Sequence, residues 1–65
     1  MNLGQWRRHI NGLVRVTSPT RIYQGYLREV RRGRYLVIDI PLPSRDDWRL
    51  IVDRHDAHFR VEPES

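Results

Sequence analysis

A glycine in the middle of a long predicted strand is the feature that most limits how this chain can fold. Gly25 lies in an apolar and aromatic stretch, with Tyr23 on one side and Leu27 on the other. A strand can bend sharply at such a position, because no side chain clashes on the inside of the bend. The sequence therefore predicts a small, strongly curved barrel.

One short helix and five strands account for most of the chain. Asn2 is the predicted N-cap of a helix with Leu3, Trp6 and Ile10 on one face, and 11–12 supplies a left-handed stop. The predicted strands are 13–17, 21–30, 35–40, 48–52 and a last short strand containing Phe59 and Val61. The connecting segments are turns at 18–20 and 31–34, a proline-containing loop at 41–46 and a helical turn at 53–57. This layout predicts an all-β fold, a small five-stranded SH3-like barrel with a short N-terminal α-helix. We expect a single domain over residues 1–62 and a flexible tail over 63–65.

Length and composition narrow the class of protein. At 65 residues, a chain buries only roughly 60% of its unfolded surface, so the large apolar side chains are needed in the core. There is no cysteine, which excludes disulfides and thiolate chemistry and fits a reducing, cytoplasmic setting. No apolar run approaches the roughly 20 residues that cross a bilayer, so we expect no membrane partner.

The charged residues are unusual in kind. The chain has 12 basic against 8 acidic residues, a net charge of +4, and every basic residue is arginine. The planar guanidinium suits phosphates and base stacking, which favours nucleic-acid recognition. A genome-wide codon preference explains the same bias without any binding role, and both interpretations stay open.

The front half of the chain combines an N-terminal helix, an apolar first strand and an aromatic residue two positions before a glycine. The positions that define this pattern are Val14, Val16, Tyr23, Gly25, Leu27, Val30 and Leu36. In this pattern the chain resembles the Sm-like (LSm/Hfq-type) small β-barrel proteins. The resemblance implies an Sm-like barrel, RNA binding, and rings assembled by pairing the fourth and fifth strands across subunits. Small bacterial Sm-like proteins that inhibit the Rho termination factor resemble the chain equally well in layout.

Two motifs depart from that family. Members that bind uridine-rich RNA usually carry Asp and Asn around the turn between the second and third strands, where this chain has Arg31, Arg32 and Arg34. Their second motif has Arg or Lys followed by Gly, where this chain has Arg54 and His55. The fold expectation is unaffected, whereas the ring-pore RNA site of the family is not carried over.

The turn at 31–34 is the main candidate for nucleic-acid binding. Arg31, Arg32 and Arg34 place three positive charges in one hairpin tip, which water or a polyanion must screen. Tyr35 or Tyr26 is available to stack on a base. Arg28 joins this surface if it projects outward. The alternative is an ordinary solvated turn.

Arg7 and Arg8 form a second basic candidate on the outer faces of the predicted helix. In Sm-like rings the corresponding helix can face a ligand. The alternative is a plain amphipathic helix that packs Trp6 on the open end of the barrel.

Three apolar residues are candidates for partner binding. Val37 and Ile51 fall on the strand phases opposite to the core, and exposed apolar residues on edge strands invite pairing with another chain. Trp48 is expected in the core together with Phe59, and it also ends a loop that is placed to dock a protein partner. Strand-edge pairing further predicts a homo-oligomer.

No residue pattern favours catalysis or a metal. His55 and His58 alternate with Asp53 and Asp56, but a turn leading into a strand would splay these ligands, so surface histidines are the expected interpretation. The carboxylates at 46 and 47 lie beside arginines, which favours ion pairing over acid–base work. We therefore expect no enzyme activity and no cofactor.

These features predict a non-enzymatic binding module. The favoured partner is RNA or another polyanion, held by arginine contacts to phosphate. The alternative is a protein-interaction module, an adaptor or inhibitor of a transcription or RNA-processing factor, that docks through an open strand edge.

Overall fold

The computed structural model describes residues 2–41 and 48–64, which form one helix and one antiparallel sheet. The elements are α1 (Leu3–Arg8), β1 (Leu13–Thr17), β2 (Ile22–Arg31), β3 (Tyr35–Ile40), β4 (Trp48–Asp53) and β5 (Arg60–Pro63). The strand order is β4-β3-β2-β1-β5, so β4 and β5 are the two edges and do not pair with each other in the described residues. The predicted small all-β domain with a short N-terminal helix is confirmed, whereas this sheet is not closed into a barrel.

The long strand β2 changes partners along its length. Residues 22–26 pair with β1, and residues 26–31 pair with β3, so Tyr26 is the one position shared by both ladders. The ladder with β3 also shifts register between Leu27 and Glu29. Such a bulge bends a strand and increases its twist. One strand thereby connects the β1–β5 half of the sheet to the β3–β4 half.

Gly25 lies where the two halves meet. It is buried and lies opposite Val14 of β1. A Cβ at this position would overlap the backbone carbonyl of Asp39 and would lie 3.1 Å from the Cγ1 atom of Ile40. A side chain therefore does not fit unless β3 moves, which accounts for glycine at this point in the strand.

The core lies on the concave side of the sheet, with α1 covering one part of it. Val14 and Val16 of β1, Leu27 of β2, and Leu36 and Ile38 of β3 are fully buried there. Trp6 of α1 and Val52 of β4 belong to the same cluster, and Tyr23 and Phe59 pack against it while partly exposed. The predicted inward face of β3 is confirmed by the burial of Leu36, Ile38 and Ile40.

The helix begins as predicted and ends earlier. Asn2 and Gln5 form a capping box, with each side chain accepting the backbone N–H of the other residue at 2.9 Å. The helix stops at Arg8 with His9 as its C-cap, and Asn11 has the left-handed backbone that was predicted, with φ 70°. The prediction of Ile10 on the apolar helix face is wrong, because this residue lies beyond the helix and is exposed.

Val37 is not the exposed partner-binding residue that the sequence predicts. It lies opposite Ile51 and Glu29 on the other face from the main core, yet it is only 1% exposed. The reason is that β3 lies between β2 and β4 and is not an edge strand, so side chains from both neighbours flank it. Ile51, on the edge strand β4, is exposed as predicted.

Trp48 is wrongly predicted as a core residue. It is 39% exposed, and its ring lies 5.3 Å from the ring of Tyr23 between centroids. As the first residue of an edge strand, it meets a neighbour on one side only, and it covers Tyr23 from outside. It therefore offers accessible apolar surface, as its second predicted role requires.

Strand β5 extends one residue past the predicted domain boundary at residue 62. Pro63 belongs to β5 and pairs with Val14, and the backbone N–H of Glu64 donates to the carbonyl of Leu13 at 2.8 Å. The Glu64 carboxylate also pairs with Arg15 and accepts a hydrogen bond from Gln24. The proline loop from residue 42 onward, with the carboxylates at 46 and 47, lies outside the described residues, as does Ser65.

Replacement of Gly25 by alanine should destabilise the protein strongly. The added methyl group forces the backbones of β2 and β3 apart, and overpacking of this kind typically costs about 1–3 kcal/mol. Chemical denaturation followed by circular dichroism measures the change in the free energy of unfolding.

Gly4→Ala is the matched control for this substitution. Gly4 lies exposed in α1, and a Cβ there comes no closer than 3.5 Å to a neighbouring atom. Alanine is the better helix former, so this variant should be as stable as the parent or slightly more stable. Equal stability of Gly25→Ala and the parent protein would contradict the close approach of β2 and β3.

Candidate nucleic-acid interface

The arginine tip, defined here as Arg31, Arg32 and Arg34, is built on a tight hairpin turn between β2 and β3. The backbone N–H of Arg34 donates to the carbonyl of Arg31 at 3.0 Å. Both central residues have positive φ, 55° for Arg32 and 67° for Gly33. This backbone matches the twist of a two-residue hairpin, and it is costly for an arginine.

Two of the three tip arginines are neutralised by nearby carboxylates. Arg31 lies 3.3 Å from Glu29, and Arg34 lies 2.8 Å from Asp53 at the end of β4. Within residues 2–41 and 48–64, Arg32 makes no ion pair. The charge that the tip presents to a partner is therefore centred on Arg32.

An open groove brings the tip together with two other predicted residues. Arg31, Arg32, Tyr35 and Ile51 line a shallow depression of about 320 Å³. The guanidinium of Arg34 lies over the Tyr35 ring, with its carbon 5.6 Å from the ring centroid. The groove thus combines cationic, aromatic and aliphatic groups, which can receive a phosphate and a base side by side.

Arg28 belongs to a different cluster. Its Nε donates to Asp39 at 3.0 Å and its Nη1 donates to Asn11 at 3.1 Å, while its guanidinium lies over the Tyr26 ring. Asp39 also accepts a hydrogen bond from Arg49 at 3.2 Å. Arg28 does not line the tip groove and is engaged by Asp39, so its predicted part in nucleic-acid binding stays a prediction.

Arg7 and Arg8 are exposed in the last turn of α1, where positive charge interacts favourably with the helix dipole. They do not line the tip groove. Trp6 is the residue of α1 that is buried in the core. The helix itself lies near the hairpin turn, because a Cβ on Gly33 would contact a methyl carbon of Leu3 at 3.3 Å.

Hydrogen bonds from arginines lower the pKa of two carboxylates, Asp39 and Asp53. The hydrogen bond from Arg34 holds the pKa of Asp53 below its usual range, and the backbone N–H of His55 adds to this effect. The same pairing raises the pKa of Arg34. The hydrogen bond from Arg28, supported by the one from Arg49, lowers the pKa of Asp39 against the opposing effect of burial. These pairs stay ionised at neutral pH; Asp53 holds Arg34 at the tip, and Asp39 holds Arg28 and Arg49 in the separate cluster.

The acidic residues near the histidines form turns. Asp53 and Asp56 each accept the backbone N–H of the residue two positions later, His55 and His58, at 2.9 Å. In the described part of the chain, no group of three or more His, Asp or Glu residues is arranged to hold a metal ion.

Sequence analysis missed two features. One is the set of carboxylates that pair with the tip arginines, and the other is a cavity. Asp53 lies opposite Tyr35, and Arg49 lies opposite Asp39, so the correct register of β3 and β4 was the signal that could have found these pairs. Arg54 was noted only in a motif comparison, yet its side chain lines a cavity between β4 and β5. Finding that cavity from sequence requires knowing that these two strands end close together.

Comparisons with family models, with curated proteins and with solved structures give no match to this chain. Among the described residues, no helix has the length and apolar character needed to cross a membrane.

The Asp39 cluster should make stability fall in acid. Because the folded pKa of Asp39 is lowered, its ion pairs contribute stability above the unfolded pKa of about 3.9, and that contribution is lost as the pH falls further. Asp39→Asn should therefore lower the unfolding midpoint at pH 7, and the difference from the parent should shrink below about pH 4. Urea denaturation across this pH range measures the effect.

Glu62→Gln is the control for this pH series. The Glu62 carboxylate is half-exposed and lies 3.6 Å from Arg60, and such surface pairs contribute little. A difference between Asp39→Asn and the parent protein that does not change with pH would contradict the role given to Asp39.

Proposed function

We propose that this protein is a small, non-enzymatic RNA-binding module of Sm-like fold, working in a reducing cytoplasmic setting. The arginine tip contacts RNA phosphates, and Tyr35 stacks on a base. The observation that carries the proposal is the position of Arg32, which has no carboxylate partner in the described residues and lies beside an aromatic groove.

The ion pairs of the hairpin support a phosphate contact at this point. Glu29 and Asp53 neutralise Arg31 and Arg34 and hold them at the base of the turn. The remaining cation, Arg32, projects from a turn whose backbone is unfavourable for any residue except glycine, asparagine or aspartate. A role in binding gives a reason for arginine at a position where glycine would fold more easily.

The shape of the groove supports single-stranded RNA as the ligand. Tyr35 is half-buried and forms a fixed platform, and Ile51 is exposed beside it. Base stacking on such a ring is worth about 1–3 kcal/mol and tolerates any base. The net charge of +4 adds attraction to the polyanion over a longer range.

The sheet supports the Sm-like part of the proposal. Its order, β4-β3-β2-β1-β5, leaves β4 and β5 as free edges on one curved sheet. Proteins that the chain resembles pair these two strands across subunits, and the same pairing here produces a homo-oligomer. In that assembly several arginine tips act together, which raises the avidity for one RNA strand.

Replacement of Arg32 by glutamine should weaken RNA binding more than the loss of any neutralised tip arginine. Removing one phosphate contact lowers the slope of log K against log salt for a single strand by about 0.7. The measurement is fluorescence anisotropy with a labelled oligouridine at several salt concentrations.

Arg21→Gln is the matched control. It removes the same charge from an exposed residue in the turn between β1 and β2, and it should change the affinity only slightly. An Arg32→Gln variant that keeps the parent affinity and salt slope would contradict the contact. The absence of any RNA binding at low salt would contradict the proposed function itself.

Protein binding is the second candidate, and one observation favours it. Ile51 is 51% exposed on the edge strand β4, and Trp48 on the same strand is also exposed. Unpaired backbone groups beside exposed apolar side chains are suited to strand addition by a partner.

Ile51→Ser distinguishes the two candidates. Strand addition depends on this edge and only weakly on salt, so the substitution should reduce capture of a protein partner from a native extract, with or without nuclease. If RNA is the partner, nuclease removes the co-purifying material and the effect of Ile51→Ser is smaller than that of Arg32→Gln.

A further inference from the structure

A second cavity lies between the end of β4 and the start of β5. Its volume is about 330 Å³. Apolar side chains from three directions form its walls: Trp6 from α1, Val52 from β4, and Phe59 just before β5. Because β4 and β5 do not pair with each other, no ladder closes the space between them. The cavity is therefore reached from outside without opening the sheet.

The charged groups of the lining are arginines. Arg54 and Arg60 line the cavity together with His55, and no carboxylate among residues 2–41 and 48–64 lines it. Arg60 lies 3.6 Å from Glu62 in an exposed pair, which is a weak interaction. Arg54 makes no ion pair in the described residues. An anion entering the cavity therefore meets Arg54, which has no ion-pair partner among the described residues, and Arg60, which is only weakly paired.

Arg54 also has an unsatisfied donor. Its Nε atom is buried and has no hydrogen-bond partner among residues 2–41 and 48–64. Buried polar groups in native proteins are nearly always paired, and an unpaired donor on a charged group is costly. The backbone N–H of Arg54 is satisfied by the carbonyl of Arg34 at 3.0 Å, so the residue is fixed at its backbone while its side chain lacks an acceptor.

We propose that this cavity binds a small monoanion consisting of a carboxylate on an apolar group. The carboxylate pairs with the Arg54 guanidinium, whose side chain shifts on binding so that the buried Nε gains the acceptor it lacks. The apolar group lies against Trp6 and Phe59. A carboxylate on an apolar group fits this lining, because Arg54 and Arg60 offer guanidinium groups and Trp6 offers apolar surface in the same cavity.

This site is separate from the arginine tip. The tip groove is lined by Arg31, Arg32, Tyr35 and Ile51, and none of these residues lines the cavity. The proposal therefore does not depend on RNA binding. Two sources of the ligand share this chemistry: a free organic acid, and the C-terminal carboxylate of a peptide that ends in an apolar residue.

The test is an NMR titration of the protein with phenylacetate. The indole N–H of Trp6 reports on the cavity, and the indole N–H of Trp48, at the opposite end of β4, serves as an internal control. We expect the Trp6 and Arg54 Nε–H signals to shift and saturate while the Trp48 signal stays in place. Phenylacetamide, which lacks the charge, and acetate, which lacks the ring, should each bind at least ten-fold more weakly.

Arg54→Gln removes the charge, and it should weaken phenylacetate binding at least ten-fold without changing RNA affinity. Arg21→Gln is the control and should leave phenylacetate binding unchanged. A dipeptide ending in phenylalanine, compared with its C-terminal amide, shows whether peptide ends are accepted. Equal affinity of the parent protein for phenylacetate and phenylacetamide would overturn the proposal, and so would the absence of a shift at Trp6. Both results come from the parent protein, so they do not depend on whether the Arg54 variant folds.

Discussion

The close approach of β2 to β3 at Gly25 is the constraint on which the rest of the structure depends. Since no side chain fits between Gly25 and the backbone of Asp39, the two strands can meet where β2 passes from one partner strand to the other. A chain of 65 residues gains from this arrangement, because one curved sheet and the short helix α1 enclose a single core. The same curvature leaves β4 and β5 as edges and opens the cavity between them.

Ion pairing then determines which arginines remain available to a ligand. Six arginines form ion pairs within the described residues: Arg15, Arg28, Arg31, Arg34, Arg49 and Arg60. The other described arginines, Arg7, Arg8, Arg21, Arg32 and Arg54, form none there. Two of these line a depression of the surface, Arg32 at the hairpin and Arg54 in the cavity. The first is presented to solvent on a turn, and the second faces apolar walls. Because their surroundings differ, the two arginines have different proposed ligands: RNA phosphates for Arg32 and a small carboxylate for Arg54.

Much of the fold could be predicted from the sequence, because local signals were strong. The N-cap Asn2, the left-handed Asn11 and the alternation of Leu36, Ile38 and Ile40 depend mainly on neighbours in the chain. Val37 and Trp48 were harder, since their exposure depends on which strands lie beside them. A period of two identifies opposite faces of a strand, but it does not distinguish a central strand from an edge.

The candidate site was predictable in part for the same reason. The arginine tip follows from a turn signal in four consecutive residues, and the structure adds Ile51 from a distant strand. The pairing of Arg34 with Asp53, and the engagement of Arg28 by Asp39, depend on cross-strand register and on a bulge that no local pattern revealed. The cavity at Arg54 depends on where β4 and β5 end relative to each other.

The most direct measurement of the central claim is the set of nuclear Overhauser contacts made by the backbone protons of β2. The account predicts contacts from residues 22–26 to β1 and from residues 26–31 to β3, with Tyr26 showing contacts to both Leu13 and Asp39. A pattern in which residues 22–25 pair with β3, or in which Tyr26 contacts one strand only, would contradict it.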